Sequence, residues 1–102
     1  MRKVIHIGLP ELDEEDIIAL GDVVQEVILK HIFDSLHKSD VKDIEVTTRI
    51  NQEDTLDLEV DVYIEVPIFV KADVDRLVEE ALDMAYEKVE ERLREIAREN
   101  KA

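Results

Sequence analysis

Apolar and polar residues alternate along three segments of the chain, and each segment predicts a β-strand. The first runs from about Lys3 to Leu9 and stops at Pro10, because proline cannot donate to a sheet ladder. The second covers Ile44 to Ile50, and the third covers Leu56 to Val66. Within the second and third strands the apolar residues share one parity, which predicts an antiparallel sheet with one buried and one solvated face.

The second and third strands are predicted to form a hairpin. Residues 51–55 between them have turn-forming character. Matching the parity of the two strands sets Ile50 opposite Leu56. The same register sets Arg49 opposite Asp57, which is a favourable cross-strand pair.

Two further segments carry apolar residues at the three- and four-residue spacing of an amphipathic helix. The first is predicted from Glu14 to His37, with Asp13 as its N-cap. The second is predicted from about Val74 to Asn100, with a cap near Asp73. A glycine inside the first helix, Gly21, indicates either the close approach of another backbone or a position where glycine is simply tolerated.

The helices carry more apolar surface than one sheet contact requires. The first has a second apolar stripe, and the second helix would be about 40 Å long, whereas three strands are only ~5 Å wide each. The segment after Pro67 also lacks alternation. We therefore expect contacts with a second copy of the chain, and the candidate residues are Ile18, Leu29, Phe33, Ile68, Phe69, Val89, Leu93 and Ile96.

The order of elements, β-α-β-β-α, predicts an α+β fold of two layers in one domain spanning residues 1–102. A right-handed crossover gives a three-stranded antiparallel sheet of order 1-3-2, with two long helices on one face. This is a ferredoxin-like arrangement without its last strand. The missing strand leaves a bare sheet edge, and a symmetric homodimer is the simplest way to cover it.

Composition limits the classes of function. The chain has 102 residues, 13 Lys plus Arg and 27 Asp plus Glu, and a net charge of −14. Such a chain suits neither direct nucleic-acid binding nor an anionic membrane surface. No apolar run is long enough to span a bilayer, and no cysteine is present. Scarce amides beside many charged residues favour the cytoplasm of a thermophile.

The solvated sheet face is unusually acidic. We define the acidic face as the outward row of the hairpin, in which Glu45 is expected opposite Asp61, a mildly destabilising pair. Three interpretations remain open: a solvated face, a docking surface for a basic protein, or a site for Mg²⁺ or Ca²⁺. The residues of the acidic face are Glu45, Asp57, Glu59, Asp61, Tyr63 and Glu65.

Residues for catalysis do not form a recognisable motif. His31 and His37 are six residues apart, which is not the spacing of one helical face, and His6 stands alone. With glycine only at positions 8 and 21, a glycine-rich phosphate loop is excluded. Tyr86 on the last helix is a further candidate anchor for a partner. We expect no enzyme activity and no cofactor.

Three stretches resemble a small archaeal family with a domain of unknown function: residues 4–10, 43–51 and 58–67. The element order is also similar to that of the small dimerising subunit of KEOPS, the tRNA threonylcarbamoyl-adenosine complex. That resemblance implies a non-catalytic dimer that docks a larger enzyme through its helices.

Sequence reasoning thus favours a non-catalytic structural or adaptor protein that acts as a homodimer. The alternative is an accessory subunit that docks a basic protein through the acidic face, for example in an RNA-modification or chaperone complex. A divalent-metal-binding protein is the remote alternative.

Overall fold

The computed structural model describes residues 2–7, 12–53 and 56–99. Its elements follow the predicted order, with a single 3-10 turn at Lys38–Asp40 before the hairpin. The α+β class, the two helices and the antiparallel hairpin are therefore confirmed. The strands and helices are β1 Arg2–Ile7, α1 Glu14–Ser35, β2 Asp43–Gln52, β3 Leu56–Glu65 and α2 Val74–Glu99.

Helix α1 begins where the sequence predicts it. The Asp13 carboxylate accepts a hydrogen bond from the Asp16 backbone N–H at 2.8 Å, and the Asp16 carboxylate accepts one from the Asp13 N–H at 3.4 Å. This reciprocal capping box satisfies two backbone donors that the helix cannot satisfy itself. The helix ends at Ser35 rather than at His37, because Leu36 adopts an extended conformation that buries its side chain.

Gly21 is a tolerated helical glycine. A Cβ atom built at this position has no other atom within 4 Å, so no neighbouring backbone approaches it. Of the two interpretations of Gly21, close approach is therefore wrong.

Helix α2 also follows its prediction. The Asp73 carboxylate accepts a hydrogen bond from the Arg76 backbone N–H at 3.1 Å and so caps the first turn. The 26 residues from Val74 to Glu99 correspond to about 39 Å of helix. The molecule is elongated, with extents of 54 × 21 × 19 Å.

The hairpin register differs from the predicted one by two residues. Ile50 lies opposite Leu58 rather than Leu56, and Arg49 lies opposite Glu59 rather than Asp57. The strands continue to Gln52 and resume at Leu56, so the connection is shorter than the predicted turn. The parity prediction nevertheless holds, because a shift of two residues leaves every side chain on its original face.

Strand β1 pairs antiparallel with β3 from Arg2 to Ile7, and the sheet order is β1-β3-β2. The prediction carried this strand to Leu9. Residues 8 and 9 lie outside the described residues.

The core lies between the inner face of β3 and the two helices. Leu58, Val60 and Val62 of β3 are buried at alternate positions, as the sequence predicts. From α1, the fully buried Ile28 and Ile32 join the same cluster. On β2 the inward residues are only half-buried, because α1 covers this edge strand incompletely.

A glutamine fixes the entry to α1 against the end of β2. The Gln52 amide oxygen accepts from the Leu12 N–H at 2.7 Å, and its NH₂ donates to the Leu12 carbonyl oxygen at 3.0 Å. The side chain thus satisfies both backbone groups of Leu12, whose own side chain is buried.

Tyr86 belongs to this core rather than to the surface. Its side chain is 5% exposed, so the expectation that it anchors a partner is wrong. Burial raises the pKa of Tyr86 to about 12, and the negative charges of Asp61 and Asp83 add to the effect. The spacing from Leu82 to Tyr86 and on to Val89 continues the apolar stripe, and that pattern is the signal that places Tyr86 inside.

Replacing Gly21 with alanine is expected to stabilise the protein by about 1 kcal/mol, because the new methyl group meets open space and the helix loses a flexible residue. The reverse change at the exposed Ala19, Ala19→Gly, should destabilise it by a similar amount. Denaturant unfolding of both variants measures the two effects. A destabilised Gly21→Ala variant would contradict the open environment.

The raised pKa of Tyr86 predicts a loss of stability at high pH. The folded state holds this proton more tightly than the unfolded state, so its contribution is complete below about pH 10 and is lost as the pH rises toward about 12. Unfolding free energies of the wild type should therefore fall relative to those of Tyr86→Phe over this range. In Tyr63→Phe, which leaves Tyr86 as the single phenol, ultraviolet titration at a midpoint near 10 would refute the assignment.

Candidate functional site

The structure places the acidic face on the sheet surface opposite the helices. Its members occupy odd positions of β2 and β3, between the inward residues of the core. Asp57, Glu59 and Asp61 in the middle of β3 are half-buried between neighbouring strands. Glu45 and the β3 end at Tyr63 and Glu65 are exposed.

A cationic residue accompanies one of the central carboxylates of the acidic face. The Arg49 guanidinium lies 3.6 Å from Oε1 of Glu59, its register partner on β3. Opposite charges on these directly facing positions support the sheet. On the other side of β3, the backbone register sets positions 2 and 6 of β1 opposite Asp61 and Asp57. Glu59 is therefore part of the sheet's own charge balance.

The expected contact between Glu45 and Asp61 is wrong. Because of the two-residue shift, Glu45 faces Tyr63, and Asp61 faces Thr47. The like-charge cost that the sequence predicts at this position is absent.

The exposed end of the acidic face centres on Tyr63. Its hydroxyl donates a hydrogen bond to Oε2 of Glu65 at 3.2 Å, and the ring is 52% exposed. That hydrogen bond is the largest cause of the raised pKa of Tyr63, and the negative charges of Glu65, Asp43 and Glu45 raise the pKa further. An exposed aromatic ring surrounded by carboxylates is a surface suited to a basic protein.

The predicted dimer contacts separate into two groups. Val89 and Leu93 are 1% and 3% exposed and belong to the core, and Ile96 is half-buried against it. The prediction that Val89 and Leu93 contact a second copy is therefore wrong. The width of the sheet does not limit the burial of α2, because α2 lies beside α1, whose 22 residues are about 33 Å long.

Three of the remaining candidates lie on one side of α1, and we call them the apolar stripe: Ile18, Leu29 and Phe33. The exposed polar residues Asp22 and Gln25 share this side of the helix between Ile18 and Leu29. Ile18 is 58% exposed, and Leu29 and Phe33 are half-buried. Neither Leu29 nor Phe33 belongs to the core cluster or to the half-buried residues packed against it. The apolar stripe thus lies on a part of α1 that the core does not use.

A turn between β3 and α2 carries the last two candidates for contact with a second copy, Ile68 and Phe69. The Val70 N–H donates to the Pro67 carbonyl oxygen at 3.0 Å and closes the turn, with Ile68 and Phe69 at its tip. Ile68 is fully exposed and Phe69 is 73% exposed. Large apolar side chains in this position are typical of contact surfaces.

The described side chains offer little for metal or acid–base chemistry. Among residues 12–53 and 56–98, no three His, Asp or Glu side chains form a group that could hold a metal ion. His31 lies 3.2 Å from Glu80 and links α1 to α2. The described helices include none with the length and apolar character of a membrane span.

Comparison with known proteins agrees with the resemblance to an archaeal family. The family model described as "Protein of unknown function (DUF3194)" matches residues 9–92. An uncharacterized protein of Thermococcus kodakarensis is 64% identical over 96% of this chain and 91% of its own length. One of Pyrococcus furiosus is 62% identical over 97% of this chain and 89% of its own.

Two solved structures share the fold. A crystal structure from Thermococcus onnurineus NA1 has 63% identity and a TM-score of 0.84, covering 97% of this chain and 96% of that one. A solution structure of a hypothetical protein from Methanothermobacter thermautotrophicus has 24% identity and a TM-score of 0.73, covering 85% and 94%. From the extent of the family match and the identity to its thermophilic archaeal relatives, the chain belongs to the DUF3194 family of proteins of unknown function.

Proposed function

We propose that this protein is a non-catalytic structural or adaptor protein that acts as a homodimer in the cytoplasm. The observation that carries the proposal is the apolar stripe of Ile18, Leu29 and Phe33 on a helix whose opposite side is already buried in the core. A helix with apolar residues on two sides needs two partners. A second copy supplies the second partner most simply, since two-fold dimers are the commonest assemblies.

The fold supports the same proposal. We describe it as a ferredoxin-like arrangement without the last strand, with three strands in the order β1-β3-β2 and both helices on one face. Such a sheet has two outer edges, and natural proteins cover or pair exposed edges. The similar element order of the dimerising KEOPS subunit is in keeping with a homodimer.

A second candidate function is an accessory subunit that docks a basic protein through the acidic face, for example in an RNA-modification or chaperone complex. The specific observation in its favour is Tyr63, which is exposed among the carboxylates of Asp43, Glu45 and Glu65. The central carboxylates support it less, because Arg49 already lies beside Glu59. No group of described residues favours the divalent-metal alternative.

The homodimer predicts a mass near twice 11.8 kDa by size exclusion with light scattering. The double variant Ile18→Lys/Leu29→Lys should be monomeric at micromolar concentration, because each change puts a charge into the apolar contact. Both changes also lower the net negative charge and so weaken repulsion between copies. Lost association is therefore attributable to lost apolar contact.

The matched control is Met84→Lys, an exposed apolar residue on α2, and this variant should remain dimeric. Unfolding by denaturant should show all variants folded. A wild-type protein that is monomeric at micromolar concentration would disprove the homodimer.

The docking surface predicts a selective loss of a basic partner. The experiment is affinity capture from cells of an archaeon that encodes a close relative of this protein. The variant Tyr63→Ala/Glu65→Lys should lose basic proteins that the wild type enriches, because the aromatic ring and the carboxylate beside it are gone. The control Met84→Ala/Glu87→Lys makes the same change of charge on α2 and should keep them. Equal enrichment by both variants ends the second candidate.

A further inference from the structure

The free edge of β2 lies beneath the apolar stripe. Helix α1 packs over β2, and its His31 faces α2 through the 3.2 Å contact with Glu80. At 100° per residue, the three residues of the apolar stripe lie about 140–160° around the helix axis from His31. The apolar stripe therefore points away from α2 and out over the outer edge of β2.

Strand β2 is suited to pairing with another strand. It has ten residues, contains no proline, and occupies one edge of the sheet order β1-β3-β2. In the described part of the chain no element pairs with its outer side. Its inward residues Ile44, Val46 and Ile50 are half-buried, so an added strand would extend an apolar surface that is already partly covered.

The sequence of β2 is complementary to itself in one register. When two copies run antiparallel around a two-fold axis at Thr47, Glu45 of each copy faces Arg49 of the other. Both side chains lie on the exposed surface of the strand, with Arg49 62% exposed. In the same register Ile44 faces Ile50 and Val46 faces Thr48 on the inner side, so a largely apolar face continues across the axis.

Neighbouring registers are less favourable. An axis at Thr48 sets Arg49 opposite Thr47 and Glu45 opposite Asn51, with no charge pair within β2. An axis at Val46 sets Arg49 opposite Asp43, which is also a pair of opposite charges, but it shortens the paired segment to residues 43–49. The register at Thr47 pairs residues 43–51 and is the one that combines length with opposite charges.

We propose that two copies of this chain join through their β2 edges, antiparallel and centred on Thr47, into one continuous sheet with the apolar stripes of the two α1 helices side by side. This inference rests on the homodimer proposed above and specifies its geometry. The backbone pairing and the apolar stripe supply the affinity. The exposed pairs of Glu45 and Arg49 add little affinity, because exposed ion pairs contribute little stability and each copy carries a net charge of −14. Their role is to select the register, since other registers lose one of the two opposite charges or shorten the paired segment.

Cysteine cross-linking tests this geometry, because the chain has no cysteine of its own. Directly facing residues of antiparallel strands have Cα atoms about 4.5–5.5 Å apart, within the range of a disulfide. Under mild oxidation, Thr47→Cys should form a covalent dimer at least about tenfold faster than Glu45→Cys, because pairing raises the effective concentration of the second thiol. Two Glu45→Cys positions would lie about 13 Å apart, too far for a disulfide.

A mixture of Glu45→Cys chains and Arg49→Cys chains tests the register directly. The mixture should form a mixed disulfide quickly, whereas each variant alone should not. Circular dichroism of each reduced variant confirms that it is folded, as expected for substitutions at exposed positions.

Each alternative outcome identifies a different failure. Fast cross-linking of Thr48→Cys instead of Thr47→Cys would overturn the register. A dimer by light scattering without fast cross-linking at either position would overturn the β2 interface while leaving the homodimer intact. A monomeric wild type would overturn both.

Discussion

Burial of the inner face of β3 beneath two helices is the interaction on which the rest of this structure depends. Leu58, Val60 and Val62 supply the sheet side of the core, and α1 and α2 cover them. Helix α1 packs over β2, the edge strand beside β3, and leaves the inward residues of β2 half-buried. The same arrangement that completes the core therefore leaves the apolar stripe and a strand edge next to each other, and the proposed homodimer rests on these two features.

Alternation and capping predicted most of the fold, and the limits of that reasoning are physical. Asp13 and Asp73 cap their helices because their carboxylates accept the backbone donors of the first turn, which is a local interaction. The pattern of apolar residues cannot predict the hairpin register, because a shift of two residues keeps every apolar side chain on the inner face. The connection between the strands decides the register, and no hydrophobic pattern specifies its length.

The surfaces were predictable as positions but not as environments. Parity places both Glu59 and Tyr63 on the outer face of the sheet. Only the structure shows that Arg49 lies beside Glu59 and that Tyr63 is exposed. The sequence predicts contacts with a second copy for Val89 and Leu93, because it does not show that α2 lies beside α1, where both residues are buried. Tyr86 is different, since its helical spacing carried enough information to place it in the core.

The central claim is that a second copy covers the edge of β2 and the flank of α1, and hydrogen exchange tests it most directly. Backbone amides of β2 should exchange more slowly as the protein concentration rises through the dissociation constant of the dimer, because pairing engages edge N–H groups that otherwise face water. The amides of β1, at the opposite edge, serve as the internal reference and should not respond. Exchange in β2 that is independent of concentration, in a protein shown to dimerise over that range, would contradict the account.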